Sequence, residues 1–114
     1  YRPTSTPKGS SSIAETLKSV DIVVVDDTNR PWLGSVTDRV CGATAVIDIS
    51  FSKGVRVCHK GSSELMEGSY GDPCTFSDAI VAGVAAALAR GLDVLSASEE
   101  GLLAARKLLG GTLE

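Results

Sequence analysis

Aromatic side chains are scarce in this chain of 114 residues: two Tyr, two Phe and one Trp, 4% of the total. Rings cannot fill a core here, so that task falls to Val, Ile, Leu and Ala. Long apolar runs are missing as well. The run Val81 to Ala89 is closed by Arg90, far short of the roughly 20 apolar residues a bilayer-spanning helix needs. Positive charge is not in excess, since the net charge is −3, and no broad basic face for nucleic acid is expected. Neither nucleic acid nor a membrane is therefore an expected partner. The stretch "YRPTSTPKGSSS" has no hydrophobic segment after its charges and does not read as a secretory signal. Cysteines number three, Cys41, Cys58 and Cys74, with no CxxC pair, and His59 is the only histidine. A zinc site is not expected from that set. Nor is a disulfide framework; reduced thiols and a cytoplasmic location are.

The length suits one domain. Residues 1–10, rich in Pro, Ser and Thr, read as a flexible lead-in, and 11–114 as a single α/β domain. "SSIAETLKS" (11–19) reads as a helix, with Ser12 and Glu15 at capping-box spacing. "DIVVV" (21–25) is a continuous β-branched run, the pattern of a strand covered on both faces in a parallel sheet. It ends in Asp26 and Asp27, which are placed either to hold Mg²⁺ at a sheet edge or to cap a turn. "NRPWLGS" (29–35) reads as a turn and "SVTDRVCG" (35–42) as a short helix; Trp32 is read as a core plug.

"ATAVIDIS" (43–50) and "GVRVCHKG" (54–61) follow as strands joined by a hairpin at "FSKG" (51–54). Val55, Val57 and His59 fall on one side of the second of these strands. "SSELMEGSYGDP" (62–73) reads as loop with a short strand at Glu64 to Met66. A helix from Thr75 to Arg90 is apolar nearly all round, the pattern of a helix buried or sandwiched between layers. Gly91 stops it. A last amphipathic helix starts near Ser96, which has capping-box spacing to Glu99, and ends at Gly110 and Gly111. Interleaved strands and helices predict an α/β layered sheet, mostly parallel, with a β-hairpin and two C-terminal helices.

The stretch that asks for chemistry is "YGDPCTFSDAI" (70–80). A helix N-terminus leaves backbone N–H groups unpaired and carries partial positive charge. A small-residue loop at that end lets an anion approach closely. Cys74 sits where a thiol pKa tends to fall, and Thr75 or Ser77 has a hydroxyl to cap the helix or donate to an anion. The other reading is a tight turn with an ordinary cap. Asp72 would place negative charge where a phosphate lies, and Pro73 has no N–H to offer.

Residues 71–93, "GDPCTFSDAIVAGVAAALARGLD", resemble the C-terminal signature of ribokinase-like (PfkB) kinases. The likeness is greatest to the hydroxymethylpyrimidine kinase branch, whose loop reads Gly-x-Gly-Cys-Thr-(Phe/Leu)-Ser before a small-residue helix. Gly71, Cys74, Thr75, Phe76 and Ser77 match in place. Pro73 stands at the second glycine and Phe51 where the strand-to-hairpin stretch usually has Gly. The resemblance extends over the whole chain as the C-terminal half of such a kinase. It implies an anion hole lined by Gly71, Cys74 and Thr75, with Ser77 beside it and Cys74 where an acceptor hydroxyl is activated. It also implies ATP and Mg as cofactors and a small phosphate-containing ligand. The expected function is nucleotide or phosphate-ligand binding. The alternative is a non-catalytic structural or interaction subunit, a homo-oligomer or part of a larger assembly, joined through its Ala-rich helix.

Overall fold

In the computed structural model the described residues are 1–2, 20–37 and 45–110, and for 34–37 the backbone only. The predicted helix at 11–19, most of the lead-in and the end of the predicted helix at 35–42 lie outside them. The chain divides into two compact units, one of Tyr1–Ile49 with Arg56–Glu64, the other of Ser50–Val55 with Leu65–Glu114.

Strand β1 (Ile22–Val25) forms where the β-branched run predicts it, and pairs in parallel with β2 (Ala45–Ser50). The register sets Val23 opposite Val46 and Val25 opposite Asp48. Helix α1 (Arg30–Thr37) connects them, as a parallel pair requires a crossover. It begins in the stretch read as a turn. The Asp26 carboxylate accepts the N–H groups of Thr28 and Asn29. The Asp26 and Asn29 carbonyls accept those of Arg30 and Leu33. Pro31 is tolerated in the first turn because it has no N–H to satisfy, so the residues that suggested a turn start a helix. Val23, Val25, Leu33 and Val46 form one buried cluster, with Val20, Trp32 and Cys58 packed against it. Trp32 thus serves the core, though half-exposed at its rim.

Strands β3 (Gly54–His59) and β4 (Ser62–Met66) complete a sheet of order β1-β2-β3-β4. Only β1 and β2 are parallel; the remaining pairs are antiparallel. The expectation of a mostly parallel sheet is corrected on this point, because links as short as Phe51–Lys53 and Lys60–Gly61 cannot hold a crossover. Lys60 (φ 53°) and Gly61 (φ 79°) are both left-handed, the signature of a type I′ hairpin turn. That turn extends β4 back to Ser62, although its exposed Ser-Ser-Glu start lacks apolar alternation. Val55 and Val57 are buried while Arg56 is exposed, as the alternation predicts. Cys58 is disulfide-bonded, which corrects the expectation of reduced thiols throughout. Sequence spacing bounds the loop a bridge would close, but not the distance between Cα atoms on which a bridge depends.

In the second unit, helix α2 (Pro73–Ala89) starts two residues earlier than predicted, with Asp72 as N-cap and Pro73 in its first turn. It ends as predicted. Gly91 (φ 90°) donates to the Leu88 carbonyl and Leu92 to that of Ala87, a Schellman motif. Helix α3 (Val94–Ala105) is capped by Asp93, whose carboxylate accepts the Ser96 N–H at 2.8 Å; the predicted cap at Ser96 is thus three residues too late. Arg106–Gly110 continue as a single π turn. The two helices meet at glycines. A Cβ on Gly101 would stand 2.7 Å from the Ile80 carbonyl oxygen, and one on Gly83 2.7 Å from the Gly101 Cα. Phe76, Ser77, Ile80, Val84 and Ala87 make the buried stripe of α2, with the ring of Phe51 edge-on to Phe76 at 5.6 Å. Ala82, Ala85, Ala86 and Ala89 are exposed. The helix is therefore not buried all round: an apolar helical surface reveals what water disfavours, not what covers it.

Candidate functional site

The start of α2 is organised by Asp72. Its backbone is extended (φ −101°, ψ 161°), which turns the side chain back over the first turn. One carboxylate oxygen accepts the Thr75 N–H at 3.0 Å and the other the Thr75 hydroxyl at 2.6 Å. The Asp72 carbonyl accepts the Phe76 N–H at 2.8 Å. Hydrogen bonds from the Thr75 hydroxyl and N–H, with a further one from the Cys74 N–H, hold the Asp72 carboxyl below the usual carboxylate range. Pro73 contributes no donor. The Thr75 and Phe76 N–H groups, which would face an incoming anion, are thus engaged by Asp72.

Gly71, Cys74 and Thr75 lie together on the exposed side of this turn, and Cys74 is a free thiol. Gly71 takes φ 73°, and a Cβ there would meet the Leu109 side chain at 3.1 Å. Ser77 is 4% exposed and belongs to the buried stripe, so the fold does not bring it to the surface shared by the other three. Tyr70, just before the turn, packs its ring against Phe76 at 6.2 Å.

Tyr70 also forms one wall of a cavity of about 300 Å³, lined with Met66, Glu67, Glu99, Leu102, Leu103 and Arg106. Glu99, Leu102, Leu103 and Arg106 recur at three- and four-residue spacing, so one face of α3 and its π extension lines it. Gly68 permits the wall: a Cβ there would stand 3.1 Å from Tyr70 Oη and 3.3 Å from Leu102 Cδ1. The lining combines an aromatic ring, three apolar side chains, two carboxylates and one guanidinium. Such a mix suits a small molecule with a flat apolar part and hydrogen-bond donors. Sequence reasoning missed this cavity. Its available signal was the Glu99-to-Arg106 spacing together with Tyr70, one of few aromatics.

At the C-terminal end of the parallel pair, the acidic residues serve structure. Asp26 is 4% exposed and binds Arg2 at 2.8 Å. Asp27 pairs with Arg30, which also reaches Asp48 and the Ile49 carbonyl. Burial opposes the charge on Arg30, but hydrogen bonds to Asp48 and Asp27 outweigh it and raise its pKa. Asp26 and Asp27 thus face different partners. Among the described residues no group of three His, Cys, Asp or Glu is arranged to hold a metal, and none of the helices is long and apolar enough to cross a membrane.

No protein-family model matches the sequence, and no curated protein matches it. Solved structures do match the fold. A Thermoplasma acidophilum protein assigned as a ribokinase superposes with a TM-score of 0.73 at 16% identity, over 90% of this chain and 37% of its own. The nucleoside kinase of Burkholderia thailandensis, solved with inosine, gives 0.65 at 18% identity over 83% and 34%. Adenosine kinase of Anopheles gambiae, solved with a diadenosine tetraphosphate, gives 0.65 at 20% over 86% and 36%. The chain thus has a ribokinase-like fold and spans little more than a third of the similar chains, consistent with a partial, C-terminal portion.

Proposed function

We propose that this chain is a nucleoside- or nucleotide-binding portion of a ribokinase-like kinase fold, and that it does not carry out phosphoryl transfer by itself. The observation that carries the binding is the cavity between Tyr70 and the Leu102/Leu103 face of α3. Its ring and leucines suit a base, Glu67 and Glu99 can accept hydrogen bonds from hydroxyl or amino groups, and Arg106 can meet a phosphate. The nucleoside ligands of the similar kinases support that choice of class. Asp72 supports the non-catalytic part of this reading. Phosphoryl transfer relies on donors aimed at developing negative charge, and here the Asp72 carboxylate already takes the N–H and hydroxyl of Thr75. Cys74 offers an exposed thiol without that support.

Thermal-shift titration tests the reading. Adenosine and ATP should each raise Tm, by mass action on the folded state, and inorganic phosphate should not. Leu102→Trp, which fills the cavity, should abolish both shifts. A protein indifferent to both nucleosides would exclude the proposal. A second reading, assembly through α2, is favoured by the exposed Ala82, Ala85, Ala86 and Ala89; light scattering after size exclusion decides it.

A further inference from the structure

The face of α3 that lines the cavity continues past the end of the α-helix. Three and four residues on from Arg106 come Leu109 and Gly110, both in the π turn. There the face runs onto Tyr70 and Gly71. Leu109 packs on Gly71, where a Cβ would stand 3.1 Å from its own. At Gly110 a Cβ would stand 2.6 Å from Tyr70 Cδ1, 3.2 Å from Cγ and 3.4 Å from Cε1. The Tyr70 ring therefore occupies the space that a side chain at this position would take. Its other edge meets a second glycine. A Cβ on Gly68 would stand 3.1 Å from Tyr70 Oη and 3.2 Å from Cε2. The two glycines thus bound opposite edges of one ring. Neither of them lines the cavity; the ring between them does.

Such a slot fixes how far the ring stands from the leucine face across the cavity. A methyl group on either glycine would press on the ring from backbone, which yields little. Phe76, itself fully buried, already packs on the ring at 6.2 Å between centroids. The open space beside the ring is the cavity, so a displaced ring moves that way and narrows it. We propose that Gly68 and Gly110 are specificity-determining positions: they hold the Tyr70 ring back far enough for the cavity to take a two-ring base in preference to a one-ring base. The larger base gains more apolar area against Tyr70, Leu102 and Leu103. The inference rests on the nucleoside reading above and narrows its ligand class to purines.

Isothermal titration calorimetry of the full chain with adenosine and with cytidine tests it. Both carry a ribose and an exocyclic amino group, and they differ in the size of the base. The parent should bind adenosine more tightly. Gly110→Ala should fold, because Ala is favoured over Gly in a helical turn. It should weaken adenosine about tenfold or more, the scale of one misplaced methyl group in a pocket, and leave cytidine nearly unaffected. Gly68→Ala presses on the opposite edge and should narrow the same preference. A parent that prefers cytidine, or variants that weaken both nucleosides alike or neither, would overturn the slot and leave the nucleoside reading in place. A parent that binds neither would overturn that reading and the slot with it.

Discussion

Replacing Gly101 with Ala probes the contact that positions the cavity-lining helix. The added Cβ would stand 2.7 Å from the Ile80 carbonyl oxygen, 2.8 Å from Val84 Cγ2 and 3.3 Å from Ile80 Cγ2. The carbonyl belongs to the backbone of α2 and cannot rotate away, and Val84 is stiff at χ1. Overpacking of this kind costs about 1–3 kcal/mol. Removing glycine from a helix interior returns about 1 kcal/mol. Because the closest neighbour is backbone, the cost belongs at the upper end, and the net loss should be about 1–2 kcal/mol. For a domain of this size that is a fall in Tm of about 4–8 °C. Urea unfolding should give the same loss with an unchanged slope. Gly83→Ala presses on the same gap, 2.7 Å from the Gly101 Cα and 3.1 Å from Ala104 Cβ. Once one methyl has separated the helices, the second costs less, so the double variant should lose less than the sum. A Gly101→Ala protein as stable as the parent, or more so, would show that propensity alone operates and that the helices do not cross there.

Other consequences are simpler to read. Asp72 and Asp93 both have folded pKa values lowered by hydrogen bonds, first from Thr75 and Ser96 respectively. A lowered folded value means that their stabilisation is complete above the unfolded value of about 3.9, and is lost as pH falls through the folded one. Tm should therefore drop more steeply below about pH 4 in the parent than in Asp72→Asn/Asp93→Asn; parallel curves would contradict the caps. Lys60→Asn should stabilise by about 0.5–1 kcal/mol in chemical denaturation, because Asn tolerates the left-handed backbone that Lys occupies. A loss there would refute the type I′ turn. Ala86→Glu should leave circular dichroism and Tm nearly unchanged, since Ala86 is exposed. If α2 joins copies, the same change should yield monomers.

Much of the fold is readable where one force dominates. The IVVV run of β1, the Val55/Val57 alternation and the Gly91 stop each follow from a single local rule, and each is found. The misreadings arise where several residues act together. Pro31 signals a turn in isolation, but with Asp26 and Asn29 already serving the exposed N–H groups it sits inside a helix. The same holds at α3, where Asp93 wins the cap from Ser96. β4 has no apolar pattern of its own and is set by the turn at Lys60 and Gly61. At the candidate site, Asp72 and Pro73 were legible as obstacles to an anion. That Asp72 itself occupies the donors depends on a side-chain rotamer, which spacing does not determine. The cavity depends on the packing of Gly68, Tyr70 and Leu102, and no motif encodes it.

Amide chemical shifts in a titration with ATP test the central claim, that ligand binding belongs to the cavity and that the start of α2 is closed by Asp72. The expected pattern is saturable movement of Glu67, Tyr70, Leu102, Leu103 and Arg106, with Cys74, Thr75 and Phe76 still. Large saturable shifts at Cys74 to Phe76, with the cavity residues unmoved, would contradict it and restore the anion hole.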